Sequence, residues 1–244
     1  MRLLLTCEHA GARVPAPWRE LFEGGHDLLA SHRGHDIGAW ALARHLARTL
    51  DAPLLGHHVT RLLVDANRSP GHPRFFSEIT RGLPPAERAR LVREHWEPHR
   101  RRVREAIDGL LARGGPVVHV GVHTFTPVLR GVARTMDVGL LYDPSRRREA
   151  SLCASWKEAL VRRDPTLRVR RNRPYLGISD GLVTALRRER PERSYAGVEL
   201  EVSQGALSDP SLRRRLYGAL AETLAEALSA PPSRPSPPRP PGAA

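Results

Sequence analysis

The sequence predicts an α/β fold in which helices pack on a largely parallel sheet. Short apolar runs rich in β-branched residues alternate with longer segments whose apolar residues recur at helical spacing. Polar residues of the types used in catalysis follow several of the apolar runs. Ligands of α/β proteins bind at the carboxyl ends of the strands, so we expect a functional site at that edge of the sheet.

Six apolar runs are predicted as strands. Residues 117–122 are the best candidate for the central strand, because this run is uninterrupted and ends at His123. In residues 198–202 the order Val-Glu-Leu-Glu-Val puts both glutamates on one face and the apolar residues on the other. The remaining predicted strands are residues 3–7, 53–59, 138–142 and 167–170, and residues 61–68 are a strand or an extended turn.

Apolar periodicity and end signals predict five helices. In residues 36–50 the apolar positions recur near every 3.6 residues, and Asp36 is placed to cap the first turn. Pro84 and Pro85 mark the start of the longest helical stretch, and Gly114 marks its end. The predicted helices are residues 36–50, 84–113, 145–163, 179–190 and a last one that begins at Asp209 and Pro210.

The chain length and the apolar runs limit the class of protein. We expect residues 1–230 to form a single catalytic domain, and the Pro/Ser/Arg-rich residues 231–244 to be a disordered tail. No run approaches the roughly 20 apolar residues that a membrane span needs, and residues 3–7 are too short for a signal peptide. The only cysteines, Cys7 and Cys153, stand in apolar contexts, which favours free thiols and a cytoplasmic location.

The formal net charge of +13 is a feature that many nucleic-acid-binding proteins share. Lys157 is the only lysine, so the positive charge is nearly all arginine, and it is scattered over separate helical segments. Aromatic residues make up 5% of the chain, which leaves few candidates for a base-stacking platform. We therefore expect no nucleic-acid partner, and we keep a basic nucleic-acid-binding protein as the alternative from a different class.

Two histidines are placed to meet at one edge of the predicted sheet. His9 follows the run 3–7, and His123 follows the run 117–122. Two neutral imidazoles and one carboxylate leave the open coordination position that is typical of catalytic zinc sites. Zinc bound in this way lowers the pKa of water to about 7. We favour Asp36 as the carboxylate, because it lies where a polar loop meets a predicted helix.

Each of these residues also has an ordinary structural explanation. A histidine at a strand end is commonly structural or exposed, and Asp36 is well placed as a helix cap. His32 and His35, at positions i and i+3, form a second candidate pair of ligands. Spacing alone therefore does not select His9, Asp36 and His123.

The two glutamates of the run 198–202, Glu199 and Glu201, are candidates for acid–base chemistry. Beside a metal, one of these carboxylates would act as the general base toward water. The alternative is that they face solvent from an edge strand.

A dense polar cluster occupies residues 61–68. Asp65 would pair with Arg61, while Asn67 and Arg68 would present an amide and a guanidinium to a substrate carboxylate. The alternative is a structural salt-bridge network around a turn. The sequence Asn172-Arg173-Pro174-Tyr175 has the composition of an ordinary turn.

Taken together, these residues resemble the N-formylglutamate amidohydrolase family. The resemblance extends from about residue 3 to residue 205, and it is specific because six short motifs occur in the right order. The motifs are Cys7-Glu8-His9-Ala10-Gly11 with Val14-Pro15, Asp36-Ile37-Gly38-Ala39, Arg61 to Asp65-Ala66-Asn67-Arg68, His123-Thr124-Phe125-Thr126-Pro127, Asn172-Arg173-Pro174-Tyr175 and Gly197-Val198-Glu199-Leu200-Glu201-Val202.

The resemblance implies a three-layer α/β/α sandwich with a mixed, largely parallel central sheet, similar to the zinc carboxypeptidases and of the phosphorylase/hydrolase-like kind. It also implies one Zn²⁺ ion whose activated water attacks a linear amide bond. His9, Asp36 and His123 match the metal ligands. Glu201 matches the strand glutamate that resembles the general base, and Glu199 stays open as the alternative because it shares the same face.

For the substrate, the resemblance implies a small N-acyl amino acid, with N-formyl-L-glutamate as the default. Asn67 and Arg68 match the pair that holds a substrate carboxylate, and Arg61, Asn172 and Tyr175 are further substrate-binding candidates. The chain departs from the family pattern at Glu8, where the best-characterised deformylases have proline, and at Thr124, where they have serine. These departures keep open a hydrolase of the same fold that acts on another amide or on a peptide C-terminus.

Overall fold

The computed structural model describes residues 1–229, and the predicted tail at residues 231–244 lies outside the described residues. Six strands form one sheet in the order β2-β1-β3-β8-β6-β7, and β4 pairs with β5 in a separate hairpin. The strands are β1 (Arg2–Cys7), β2 (Leu54–Gly56), β3 (Val117–Phe125), β4 (Val128–Leu129), β5 (Val132–Ala133), β6 (Val138–Leu141), β7 (Val169–Arg171) and β8 (Tyr195–Ser203). Every neighbouring pair in the six-stranded sheet is parallel except β6 with β8. The predicted mixed, largely parallel sheet is confirmed.

Helices cover both faces of this sheet. They are α1 (His26–Ala30), α2 (Ala39–Thr49), α3 (Pro85–Leu91), α4 (Glu97–Ala112), α5 (Arg147–Arg163), α6 (Leu182–Glu189), α7 (Gln204–Ser208) and α8 (Pro210–Ser229), with a 3₁₀ helix at Ala16–Phe22. Leu46 of α2, Trp156 of α5 and Leu220 of α8 belong to the core on one face. Ile107 of α4 and Leu186 of α6 belong to the core on the other face. The three-layer arrangement is therefore confirmed. Among the helices of residues 1–229, none combines the length and the hydropathy that a membrane span requires.

The predicted helix at residues 84–113 is present but not uniform. A π-helical turn at Val92–Trp96 separates α3 from α4. Pro98 follows directly in the first turn of α4. A proline has no N–H to donate to the preceding turn, and the wider π turn accommodates this missing bond.

Two predicted strands are shorter or absent. Of the strand predicted at residues 53–59, only β2 is present. Its partner β1 ends at Cys7, and beyond that point the two segments continue side by side as loops. In those loops His57 N–H donates to the Cys7 carbonyl at 2.9 Å. Residues 61–68 form turns, with Leu63 N–H bonded to the Thr60 carbonyl and Arg68 N–H to the Asp65 carbonyl. The turn interpretation of this segment is therefore the correct one.

Asp36 does not cap a helix. Helix α2 begins only at Ala39. The residue before it, Gly38, has a φ of +86°, which residues other than glycine rarely adopt. No side chain makes a capping hydrogen bond at this end of α2. The tight turn at Gly38 leaves Asp36 outside the helix, so the capping interpretation is wrong and the carboxylate is available for other contacts.

The glutamates of β8 lie on an interior strand. Because β8 is flanked by β3 and β6, the edge-strand alternative is wrong. Val198, Leu200 and Val202 belong to the core on the face covered by α2, α5 and α8, as the alternation predicts. The register places Glu199 beside Gly121 of β3 and Glu201 beside His123. Both carboxylates therefore lie on the same sheet face as His123.

Candidate metal centre and active site

Three side chains that are far apart in the sequence meet at the carboxyl ends of β1 and β3. Asp36 Oδ2 lies 2.9 Å from His123 Nδ1 and 3.4 Å from His9 Nδ1. All three residues are buried. One candidate ligand atom from each of them lies within 4.8 Å of the others, and within residues 1–229 no other group of histidine, cysteine or acidic residues meets this condition.

The alternative pair, His32 and His35, does not join this group. His32 is exposed. His35 is partly buried, and its Nδ1 lies 3.2 Å from the carbonyl oxygen of Leu29. The geometry therefore favours His9, Asp36 and His123 over this pair.

The far sides of the two imidazoles face further carboxylates. His9 Nε2 lies 2.8 Å from Asp65 Oδ1. His123 Nε2 lies 2.9 Å from Glu8 Oε2, which is an ion-pair distance, although the two atoms are not aligned as a hydrogen bond. Each ring therefore lies between two acidic side chains, with Nδ1 toward Asp36 and Nε2 toward a different carboxylate.

Arg61 links two of these acids. Its Nη2 donates to Asp65 Oδ2 at 2.7 Å, and its Nη1 donates to Asp36 Oδ1 at 3.3 Å. The predicted Asp65–Arg61 pair is thus present. Arg61 Nε also donates to Asp65 Oδ2, at 3.1 Å. Because three guanidinium donors bond to these two carboxylates, Arg61 holds both acids in place.

The electrostatics favour ionised acids around the imidazoles. Burial raises the pKa of Asp36 and Asp65, but His9 and His123 beside Asp36, and Arg61 and His9 beside Asp65, outweigh it and hold both values well below the usual range. For His123, burial lowers the pKa, but contacts with Asp36 and Glu8 raise it well above the ordinary value. The site therefore concentrates negative charge where a cation would bind.

Glu201 and Glu199 have different environments. Glu201 is buried, and its Oε2 has no hydrogen-bond partner among the described residues. Burial, with Asp36 and Glu199 nearby, raises its pKa to about 8 despite the opposing effect of His123. Glu199 is half-buried, and its Oε1 accepts a hydrogen bond from Asn67 Nδ2 at 3.2 Å. Of these two glutamates, Glu201 is therefore the one with a buried oxygen that lacks a hydrogen-bond partner and with a pKa raised to about 8.

The side chains at this site fit a divalent cation. Arg61 is the only guanidinium that donates to the candidate ligands in the part of the chain that is described, and it does not balance the surrounding acids. Buried carboxylates need compensating positive charge, and imidazoles with a carboxylate are a ligand set that zinc accepts with one position left open. The acids at the site are Glu8, Asp36, Asp65, Glu199 and Glu201.

Asn67 and Arg68 lie beside the same site. The Asn67 side chain spans from Glu199 to the N–H of Leu182, which donates to its Oδ1 at 2.7 Å. Arg68 Nη1 donates to the carbonyl oxygen of Asp180, while its Nε is buried without a partner within residues 1–229. Asn67 thus fixes Glu199, and Arg68 retains one donor that has no partner among the described residues.

Asn172 and Tyr175 lie in the segment after β7. The Asn172 side-chain oxygen accepts hydrogen bonds from Tyr142 N–H at 3.0 Å and Gly177 N–H at 3.1 Å. This oxygen is therefore engaged in holding the segment together. Tyr175 is exposed. Burial lowers the pKa of Arg61, but Asp65 and Asp36 outweigh it, and the nearby Tyr175 adds a smaller rise. Tyr175 thus lies near the site, whereas Asn172 supports the loop that carries it.

Comparison with known proteins shows the family to which the chain belongs. A family model described as N-formylglutamate amidohydrolase matches residues 1–207. The chain belongs to the N-formylglutamate amidohydrolase family. A gene product of Agrobacterium tumefaciens has a similar structure, with a TM-score of 0.79, 33% sequence identity, and coverage of 93% of this chain and 90% of that one.

A second family structure is more distant. The N-formylglutamate amidohydrolase of Ralstonia eutropha JMP134 is 19% identical, with a TM-score of 0.64 and coverage of 93% of this chain and 94% of that one, which shows a shared fold. No curated protein matches the chain.

In this member of the family, the structure brings two residues to the site that the sequence analysis did not assign. Glu8 faces His123, and only its position next to His9 signalled it. Arg134 follows the β4–β5 hairpin, and its guanidinium lies over the rings of Phe125 and Tyr175 at 5.6 and 5.1 Å. Its Nη1 is buried and has no partner in the described part of the chain. No motif pointed to Arg134, because the hairpin that positions it was not predicted.

Proposed function

We propose that the chain is a zinc-dependent amidohydrolase that cleaves the amide of a small N-acyl amino acid, with N-formyl-L-glutamate as the default substrate. The convergence of His9, Asp36 and His123 carries this proposal. These three residues would hold the ion, and family membership supports the reaction class. When bound, the ion supplies Lewis acidity, which polarises an amide carbonyl and lowers the pKa of water.

Glu201 is the proposed general base. Its Oε2 would take the proton from the attacking water and deliver it to the departing amide nitrogen, so that a carboxylic acid and an amine are formed. Its raised pKa suits transfer in both directions near neutral pH, and a nearby cation favours the ionised form that accepts the proton. Glu199, held by Asn67, is the alternative base.

Unused guanidinium donors support a substrate that carries a carboxylate. Arg68 Nε and Arg134 Nη1 are both buried without a partner among the described residues. A buried charged donor that lacks an acceptor is costly, and a carboxylate would satisfy it. We assign Arg68 and Arg134 as carboxylate-binding candidates, and we keep Arg61 and Tyr175 as further substrate-binding candidates.

The decisive experiment combines metal analysis with product detection. The purified full chain is loaded with zinc, freed of excess metal, and assayed for metal content and for formate release from N-formyl-L-glutamate. We expect about one zinc per chain, and turnover that stops on chelation and returns on adding zinc. A chain that binds no divalent metal would exclude the proposal.

A second candidate substrate class is an N-acyl amino acid with a larger, apolar acyl group. Among the described residues, the exposed large hydrophobic side chains other than Met1 and Val161 all belong to three segments that follow Asp36, β3 and β7. They are Ile37, Val128, Leu129, Val132, Tyr175, Leu176 and Ile178. Ile37 and Pro127 line one cavity, and Arg134 links the hairpin segment to Tyr175. Exposed apolar side chains in the segments that follow Asp36, β3 and β7 would favour acyl groups larger than formyl.

A panel of N-acyl glutamates separates these substrates. Formyl, acetyl and hexanoyl forms are compared by kcat/KM. A clear preference for the formyl form would remove the second candidate, and a rise with acyl length would remove the first.

Both cysteines are free and buried, which suits a reducing compartment, and we propose a cytoplasmic location.

A further inference from the structure

Both candidate ligand imidazoles have acidic side chains at the same two ring nitrogens, with a hydrogen bond at Nε2 of His9 and an ion-pair contact at Nε2 of His123. In each ring, Nδ1 faces Asp36 Oδ2, at 3.4 Å for His9 and 2.9 Å for His123. In each ring, Nε2 faces a carboxylate outside the ligand set, at 2.8 Å for Asp65 and 2.9 Å for Glu8. The two rings, which follow different strands, therefore have the same orientation: Nδ1 is toward the shared Asp36, and Nε2 is on the opposite side, toward a second carboxylate.

The orientation decides which nitrogen can bind a cation. A neutral imidazole carries one proton, and the nitrogen without it is the ligand. Both Nδ1 atoms face Asp36, the proposed carboxylate ligand, so a cation held by Asp36 would meet the Nδ1 lone pairs. The proton of each neutral ring would then be at Nε2, where an ionised carboxylate can accept it. Carboxylates behind metal-bound histidines fix the ring and increase its basicity in this way.

We propose that Glu8 and Asp65 are positioning residues, which hold His123 and His9 with Nδ1 directed at the metal and Nε2–H directed at their own carboxylates. This inference rests on the metal site of the proposed function, but not on the identity of the substrate. It gives a role to Glu8, at which the chain departs from the pattern of the best-characterised deformylases.

The surroundings of Glu8 support a dedicated role. Its side chain is 1% exposed, and within residues 1–229 no arginine or lysine pairs with it. Its nearest partners are His123 and His99, whose Nε2 lies 3.7 Å from Glu8 Oε1. A buried carboxylate without such a partner is costly, and of the two histidines His123 is the nearer, at 2.9 Å. Asp65, by contrast, is also bonded to Arg61 and to the N–H of Asn67.

The test measures zinc affinity in the full chain by competition with a chromophoric chelator. Glu8→Met keeps the volume but removes the acceptor, and Glu8→Gln keeps an acceptor oxygen. Loss of a group behind a metal-bound histidine typically weakens binding by about 10–100-fold. We expect a loss in this range for Glu8→Met and a smaller loss for Glu8→Gln.

The matched control is Tyr195→Phe. It removes a hydrogen bond from another buried histidine of β3, His119, whose Nδ1 lies 2.7 Å from Tyr195 Oη. This variant should leave zinc affinity unchanged while lowering thermal stability. If it weakens zinc binding as much as Glu8→Met does, general loosening of β3 explains the effect and the inference is overturned.

A spectroscopic measurement follows the rings directly. In cobalt-substituted protein, the Nε2–H protons of imidazoles bound through Nδ1 give shifted, exchangeable NMR signals. We expect two such signals in the wild type, and in Glu8→Met faster exchange with solvent of the His123 signal, because its proton has lost its acceptor. If the wild type binds zinc but Glu8→Met shows neither weaker zinc binding nor faster exchange of this signal, this inference alone is refuted. A wild type that binds zinc without releasing formate would leave the inference intact and refute only the proposed substrate.

Discussion

Replacing Glu201 by glutamine should change how the stability of the metal-free protein depends on pH. Burial raises the pKa of Glu201 to about 8, from an ordinary value of 4.5. Between these values the folded protein keeps a proton that the unfolded chain has released. Stability then falls as pH rises, because the folded state must either hold this proton or bury a charge. Glutamine has the same shape and does not titrate, so the variant lacks this contribution.

The magnitude follows from one proton. A difference of one bound proton changes the free energy of unfolding by about 1.4 kcal/mol per pH unit. From pH 5.5 to pH 7.5, which lies inside the window, the wild type should lose up to about 2.7 kcal/mol more than Glu201→Gln. For a domain of this size, about 1 kcal/mol corresponds to roughly 2–4 °C in Tm. The expected difference in Tm change is therefore roughly 5–10 °C.

The assay is thermal unfolding, followed by circular dichroism in the presence of a chelator, at steps between pH 5.5 and 7.5. His123 also titrates, but it is present in both proteins and its contribution cancels to first order. Glu199→Gln is the matched control, because Glu199 lies on the same strand face but is half-buried and bonded to Asn67. It should keep most of the wild-type slope, because burial is the largest cause of the raised pKa of Glu201 and Glu199 is a lesser one. Parallel curves for the wild type and Glu201→Gln would refute the argument that Glu201 is held protonated by burial.

Four further outcomes follow from the site. His123→Ala should abolish metal binding and turnover together, as metal analysis and a formate assay would show. Glu201→Gln should keep zinc but lose about 10²–10⁴-fold in kcat, and a dead Glu199→Gln beside an active Glu201→Gln would reverse the assignment of the base. Arg68→Lys should raise KM more than it lowers kcat, because lysine lacks the planar fork; an unchanged KM would reject this role. A DNA titration near physiological salt should show negligible binding, whereas tight binding with a steep salt dependence would support the nucleic-acid alternative.

The arginine pairing in the structure bears on the expectation that the chain has no nucleic-acid partner. Several arginines in the basic segments are paired with acids on neighbouring elements. Arg104 bonds to Glu189 at 2.7 Å, Arg163 to Glu222 at 2.7 Å and Arg190 to Asp108 at 2.8 Å. Each of these acids reduces the positive potential that a phosphate backbone would meet.

The sequence was most informative where side-chain periodicity and burial agree. The strand at residues 117–122 and the alternation at residues 198–202 follow from hydrophobic patterning, because one sheet face must be buried. Placing His9 and His123 at one sheet edge followed from parallel pairing alone. These features depend on local pattern and on one rule of sheet topology, so they were predictable.

The parts that the sequence did not reveal depend on contacts across long loops. The capping alternative for Asp36 was wrong because the left-handed turn at Gly38 delays the helix, and a glycine in sequence does not reveal its φ. The hairpin that positions Arg134 has only two residues in each strand, which is too short for a periodic signal. Glu8 was noted only as a departure from the family pattern, because its contact with His123 bridges 115 positions of sequence.

The site is built so that each acidic group has a different task, set by its neighbours. Asp36 is shared by two imidazoles, Asp65 is neutralised by Arg61, and Glu8 meets histidines alone. Glu201 is left with a free oxygen in a buried position. A cation that binds Asp36 and the two Nδ1 atoms would convert this excess of negative charge into a favourable arrangement, and it would also favour the ionised form of Glu201. Metal binding and activation of the proposed base are therefore expected to be one coupled event.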